Sequence, residues 1–96
     1  GKKDPRVVKV NNFRLELIPS GHLAIINNYD KPGAIGSIGM KLGEHSINIG
    51  RMQVGQEENG DQRNIIFLQT DTPIPPAVVE ELKALPLVTR VTPLEL

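Results

Sequence analysis

The residues with most chemistry to offer lie in one short run, Asn28-Tyr29-Asp30-Lys31-Pro32-Gly33, followed some way along the chain by Asn48. Asp30 supplies a carboxylate, and Asn28 and Asn48 each supply an amide that both donates and accepts hydrogen bonds. Pro32-Gly33 marks a helix start, where the first backbone N–H groups have no partner inside the helix. Such a set suits an α-amino acid: the helix N-terminus offers donors to its carboxylate, and Asp30 can pair with its ammonium group. A structural role is open to each residue as well. Asp30 can cap the helix, worth about 1 kcal/mol; Asn28 can serve a turn; Asn48 can satisfy a neighbouring backbone group. The combination favours a ligand site, and it expects Asn48, at the head of the strand after the helix, to lie close to the turn.

Nothing comparable supports catalysis. His22 begins a strand and His45 lies near a helix C-terminus, where the dipole alone favours it. Their spacing matches no metal-ligand motif. Glu57-Glu58 and Glu80-Glu81 read as solvated turn and helix faces, and no nucleophile has a supporting base. The chain has no cysteine, which excludes disulfides, thiolate metal sites and cysteine nucleophiles. No catalytic residue, metal or cofactor is therefore expected within it.

Composition narrows the partners. The 96 residues suffice for one core, and 39% hydrophobic with 23% charged residues is ordinary for a globular domain. Eleven basic residues balance eleven acidic ones, so no net field draws the chain to nucleic acid or to an anionic membrane. No apolar run approaches the roughly 18 residues of a membrane span, and no signal-peptide pattern opens the chain. A cytoplasmic domain is expected. Because the chain starts at Gly1 rather than methionine, it reads as part of a longer polypeptide.

The elements that must position these residues follow from pattern. Val7, Val8 and Val10, then Asn11-Asn12, then Phe13, Leu15 and Leu17 predict a hairpin, which Pro19-Ser20-Gly21 ends. Leu23 to Ile26 predicts a central strand buried on both faces. A helix is predicted from Pro32, with Ala34, Ile35, Ile38 and Leu42 at helical spacing. Gly36, Gly39 and Gly43 each cost it about 1 kcal/mol relative to alanine. Close packing is the expected compensation at Gly39 and Gly43; at Gly33 and Gly36, packing and ligand access are both open. Ile47 to Val54 predicts a strand, Glu57 to Asp61 a turn, and Asn64 to Thr70 the return strand. Pro75-Pro76 opens a second helix with Val78, Val79, Leu82 and Leu85 on one face, and Pro86 stops it before a last strand, Val88 to Leu94.

The order is βαββαβ after a hairpin: an α+β, ferredoxin-like arrangement with an antiparallel four-stranded sheet and both helices on one face. The other face must be polar or covered. Only Phe13, Tyr29 and Phe67 are aromatic, which argues against RNA recognition on such a sheet. The first strand-helix turn lacks the arginine that an acylphosphatase-like enzyme needs for phosphate.

The segments Asp30-Lys31-Pro32-Gly33-Ala34-Ile35-Gly36, Leu42-Gly43, Ile47-Asn48-Ile49 and Met52-Gln53-Val54-Gly55 resemble the ACT domains at the C-terminal end of bacterial D-3-phosphoglycerate dehydrogenases. Val10 to Arg14 and Pro19 to His22 resemble the strand leading out of those enzymes' preceding domain. The resemblance implies residues 1–20 as the end of an upstream intervening domain and 21–96 as the ACT domain. It further implies a homodimer whose sheets join side by side, with L-serine bound at the interface as an allosteric inhibitor. Asp30 would contact the ligand ammonium, Gly33, Ala34 and Ile35 would offer backbone donors, and Asn48 would reach the ligand from the neighbouring chain. Asn28 stands where relatives carry histidine or tyrosine, so its side chain would bind directly, bind through water, or miss the ligand. The parent would be an NAD-dependent dehydrogenase oxidising 3-phosphoglycerate in the first step of L-serine biosynthesis, with NAD held outside this chain. An iron-sulfur L-serine dehydratase subunit shares a related turn, and a ligand-free dimerisation domain is the other alternative.

Overall fold

A computed structural model describes residues 6–10, 13–17, 21–57 and 62–95. The hairpin is present as β1 (Arg6–Val10) paired antiparallel with β2 (Phe13–Leu17), in a register that sets Val10 opposite Phe13. Its Asn11-Asn12 turn lies outside the described residues, as does most of the turn predicted over 57–61. The rest follows the predicted order: β3 (His22–Tyr29), α1 (Ala34–Glu44), β4 (Ile49–Gln56), β5 (Arg63–Thr70), α2 (Pro76–Lys83) and β6 (Val88–Glu95). The four later strands form one antiparallel sheet in the order β4-β5-β3-β6.

Strand alternation sorts the sheet's two faces. Ala24 and Ile26 of β3, with Ile66 and Leu68 of β5, point to the helices and form the main core with Ile38 and Leu42 of α1 and Val78, Val79 and Leu82 of α2. Leu23, Ile65 and Phe67 fall on the opposite face and form a second buried cluster. The first hairpin lies against this side of β4: the Glu16 N–H donates to Gln53 Oε1 at 2.7 Å, and Arg51 pairs with Glu16 at 2.9 Å. The strand buried on both faces is most completely β5, whose residues from Asn64 to Thr70 are all buried.

Two local expectations need correction. The helix begins at Ala34 rather than at Pro32, because Gly33 takes φ 89° and acts as the N-cap, and a chain in the left-handed region cannot continue a right-handed helix. Nor do Gly36, Gly39 and Gly43 answer to close packing within the chain: a Cβ at any of them would meet open space. Gly33 carries a stability prediction. Gly33→Ala forces a β-carbon into a left-handed conformation at about 1 kcal/mol or more, and the thermal midpoint should fall by roughly 4–8 °C. An unchanged midpoint in a melting experiment would contradict the assigned backbone.

The helices are clamped at one end. His45 caps α1, its backbone N–H bonding to Leu42 O at 3.1 Å, and its Nε2 reaches Glu81 of α2 at 2.9 Å. Lys41 lies 3.0 Å from Glu44 and 3.5 Å from Glu81. The His45 hydrogen bond, reinforced by the charges of His45 and Lys41, holds the Glu81 carboxyl below its ordinary value of 4.5. A carboxyl lowered on folding adds stability above its unfolded value and loses it as pH falls through the lowered one. Glu81→Gln should therefore lower the melting midpoint slightly near neutrality, and the difference from the unaltered chain should close below pH 4.5. A gap that stays constant into acid would contradict the clamp.

Candidate functional site

The last residues of β3 carry the chain from the core to the turn before α1. Asn28 continues the helix-facing series of Ala24 and Ile26 and is fully buried, so it is a floor residue and not a solvated turn residue. Its Nδ2 donates to Tyr29 O at 2.9 Å, while its Oδ1 has no hydrogen-bond partner among the described residues. A buried acceptor left unpaired costs about 1–3 kcal/mol, and so marks a place where a donor belongs.

Asp30 follows on the exposed rim. It makes no cap bond to α1, which excludes the capping role that its position allowed. Its backbone N–H instead bonds to Gln62 O at 2.8 Å, and its Oδ1 accepts from Asn64 Nδ2 at 3.1 Å. The turn closes with the Ala34 N–H bonded to Lys31 O at 3.2 Å, and the Ser37 N–H reaches Gly33 O at 2.9 Å. The N–H groups of Ile35 and Gly36 belong to this same first turn, where α-helices leave their donors unfilled. Ala34 is buried, whereas Gly33 and Ile35 are exposed.

Beside Asp30 opens a pocket of about 380 Å³ lined by Asp30, Gln56, Glu57, Gln62 and Arg63. The Arg63 guanidinium stands 5.4 Å from the Tyr29 ring centroid, a cation–π distance. Carboxylates, amides and one guanidinium at a single rim can receive a zwitterion, and Asp30 ties this pocket to the turn after β3.

Asn48 is not part of this group within one chain. Asn28 pairs with Asn64 at one end of β5, whereas the Asp71 N–H bonds to Asn48 O at 3.1 Å beyond the other end. Asp71 lies seven residue steps beyond Asn64, a distance of about 23 Å at ~3.3 Å per residue. The expectation of proximity failed because α1 runs antiparallel to β3 and returns the chain to the far end of the sheet before β4 starts. There Asn48 is exposed and donates to Asp71 Oδ2 at 2.7 Å, and Gly50 fits a register shift where a Cβ would stand 3.2 Å from Asp71 Oδ1.

The residues that sequence reasoning passed over are Asn64, Gln56, Gln62 and Arg63. Only Asn64 left a signal, as an amide opening the apolar run Asn64 to Leu68. The two histidines stay apart from this site: His22 pairs with Glu95 at 2.5 Å and His45 with Glu81. Among the described residues, Glu44, His45 and Glu81 come close enough together to resemble a metal-binding group, but the Lys41 ammonium already lies against both carboxylates.

The family model described as the ACT domain matches residues 22–87. D-3-phosphoglycerate dehydrogenase of Methanocaldococcus jannaschii is 37% identical over 92 residues, covering 96% of this chain and 17% of that protein. The Bacillus subtilis D-3-phosphoglycerate dehydrogenase is 37% identical over 91 residues, covering 95% and 17%. This chain thus spans about a sixth of the length of either dehydrogenase. A probable L-serine dehydratase beta chain of Bacillus subtilis is 29% identical over 86 residues, covering 90% of this chain and 39% of its own length. Among solved structures, a homoserine dehydrogenase from Thiobacillus denitrificans superposes with a TM-score of 0.63 at 22% identity, over 79% of this chain and 17% of that one. The C-terminal domain of the MgtC protein from Mycobacterium tuberculosis gives 0.57 at 17% identity, over 77% and 84%. At those identities the two structures share the fold alone. Among the described residues, no helix is long and apolar enough to cross a membrane.

Proposed function

Because the chain belongs to the ACT domain family, matched across residues 22–87, we propose that it is an amino-acid-sensing regulatory domain that binds L-serine between two copies of itself. The observation that carries this reading is the buried, unpartnered Asn28 Oδ1, two residues before the exposed Asp30 carboxylate at the entry to α1. Ligand ammonium donates to these two oxygens, and the N–H groups of Gly33 and Ile35 meet the ligand carboxylate, the Ala34 N–H being held by Lys31 O.

The second copy supplies what one chain lacks. β4 is an edge strand, and its helix-facing Met52 and Val54 are 43% and 44% exposed, unusual for apolar residues beside a core. The side of α1 carrying Lys41, Glu44 and His45 meets α2, and Ile35, Gly39 and Gly43 lie on its opposite flank. Open glycines there suit close approach by another helix. If two β4 strands pair antiparallel about a two-fold axis near Met52, Asn48 of the second copy comes opposite Gln56, which itself pairs with Asn64 at the ligand floor. The same step that joins the sheets carries Asn48 across the gap of about 23 Å.

The parent polypeptide is, on this reading, an NAD-dependent D-3-phosphoglycerate dehydrogenase of the cytoplasm. Residues 1–20 close its preceding domain, and NAD is bound outside this chain. Serine favours one arrangement of the dimer, and the linkage shifts the distant active site by a coupling of about 1–3 kcal/mol.

The test is a calorimetric titration with L-serine, using glycine, L-alanine and D-serine as comparisons and Asn48→Ala as the blank. Saturable heat selective for L-serine and absent from Asn48→Ala is expected. No heat and no thermal stabilisation at millimolar L-serine would instead leave a dimerisation domain without a ligand.

A further inference from the structure

Along β5 the helix-facing positions read Asn64, Ile66 and Leu68, and Asn64 is only 7% exposed. An amide at such a position is costly unless its polar groups are used, and an aliphatic residue would fit the series better. Asn64 Nδ2 donates to Asp30 Oδ1, and two residues earlier Gln62 O accepts the Asp30 backbone N–H. One short stretch of β5 and its approach therefore holds Asp30 by both backbone and side chain. A rim aspartate without such bonds would exchange among rotamers and lose entropy on meeting a ligand.

We propose that Asn64 is a positioning residue for the ammonium seat, fixing Asp30 Oδ1 so that Oδ2 and the orphaned Asn28 Oδ1 converge on one cation. This deepens the amino-acid-sensing reading and rests on it. Two fixed acceptors supplemented by water or a second-copy group suit a primary ammonium with three N–H donors, so the seat discriminates against N-methylated amino acids.

The experiment is a double-mutant cycle on the full chain: Asn64→Leu, Asp30→Asn and the double variant, titrated with L-serine and N-methyl-L-serine by NMR. Asn64→Ala replaces Asn64→Leu if leucine prevents folding. Asn64→Leu should weaken L-serine binding about 10-fold, and narrow its preference over N-methyl-L-serine, while costing no more than about 2-fold once Asp30 is asparagine. An equal loss in both backgrounds marks a merely structural role and overturns the proposal, as does undiminished binding by Asn64→Leu. If the unaltered chain binds neither compound, the sensing reading falls and takes this inference with it. Binding by the unaltered chain that survives Asn64→Leu removes the inference alone.

Discussion

Asp30→Asn should weaken L-serine binding by about 100-fold or more while leaving the melting midpoint nearly unchanged, because it removes the anion proposed to face the ligand ammonium and turns one of its two oxygens into an NH2 donor, while keeping one acceptor oxygen. Asp30 is exposed and caps nothing, so the fold asks little of its charge. Its Oδ1 still has a counterpart in the asparagine side chain to receive the Asn64 bond. A charge-assisted hydrogen bond contributes about 1.5–3 kcal/mol, and losing the Coulomb attraction at a partly desolvated seat adds to that. Calorimetry together with a thermal melt checks both halves. Full affinity in the variant would remove Asp30 from the site, and a collapsed melt would assign it to the fold.

The second large effect is expected at the sheet edge. Val54→Lys places an ammonium on the helix-facing side of β4, where the unpaired chain leaves valine 44% exposed and can solvate the new charge. Each copy's fold should hold within the error of a melt. A symmetric dimer meets the substitution twice, and pairing would bury two like charges near the axis, the device by which edge strands resist association. Dimer dissociation should become at least about 100-fold easier, and serine binding should be lost with it. Sedimentation across a concentration series measures the first and calorimetry the second. A variant that stays dimeric would move the interface away from this edge.

Much of the fold was legible because its signals are local. Pro76 at the first turn of α2, the Ile65-to-Leu68 run and the Ala34-Ile38-Leu42 spacing each fix an element without reference to distant residues. The floor of the site was only partly legible. Asn28 and Asp30 stood out by type and by adjacency to Pro32-Gly33, yet their environments came from β5, which lies more than thirty residues later in the chain. Asn64 gained its meaning only once the register set it opposite Asn28. Asn48 was misplaced within one chain because the crossover through α1 brings the chain back to the end where β3 begins, so β4 starts at the end of the sheet away from the turn. The glycines of α1 were misread because helical spacing does not say what faces a residue: a Cβ at Gly39 or Gly43 meets open space where packing was expected.

The claim on which the function turns is that each ligand site is built from Asp30 of one copy and Asn48 of another. Asp30→Ala and Asn48→Ala should each fail to bind L-serine alone. Mixed in equal amounts and allowed to exchange, they form mixed dimers in which one site carries both substitutions and the other carries neither, restoring about a quarter of all sites at near-normal affinity. Calorimetric titration of that mixture is the direct measurement. Recovery of about a quarter of the binding stoichiometry is the predicted result; no recovery, with mixed dimers demonstrated by mass spectrometry, would contradict a site shared between two copies.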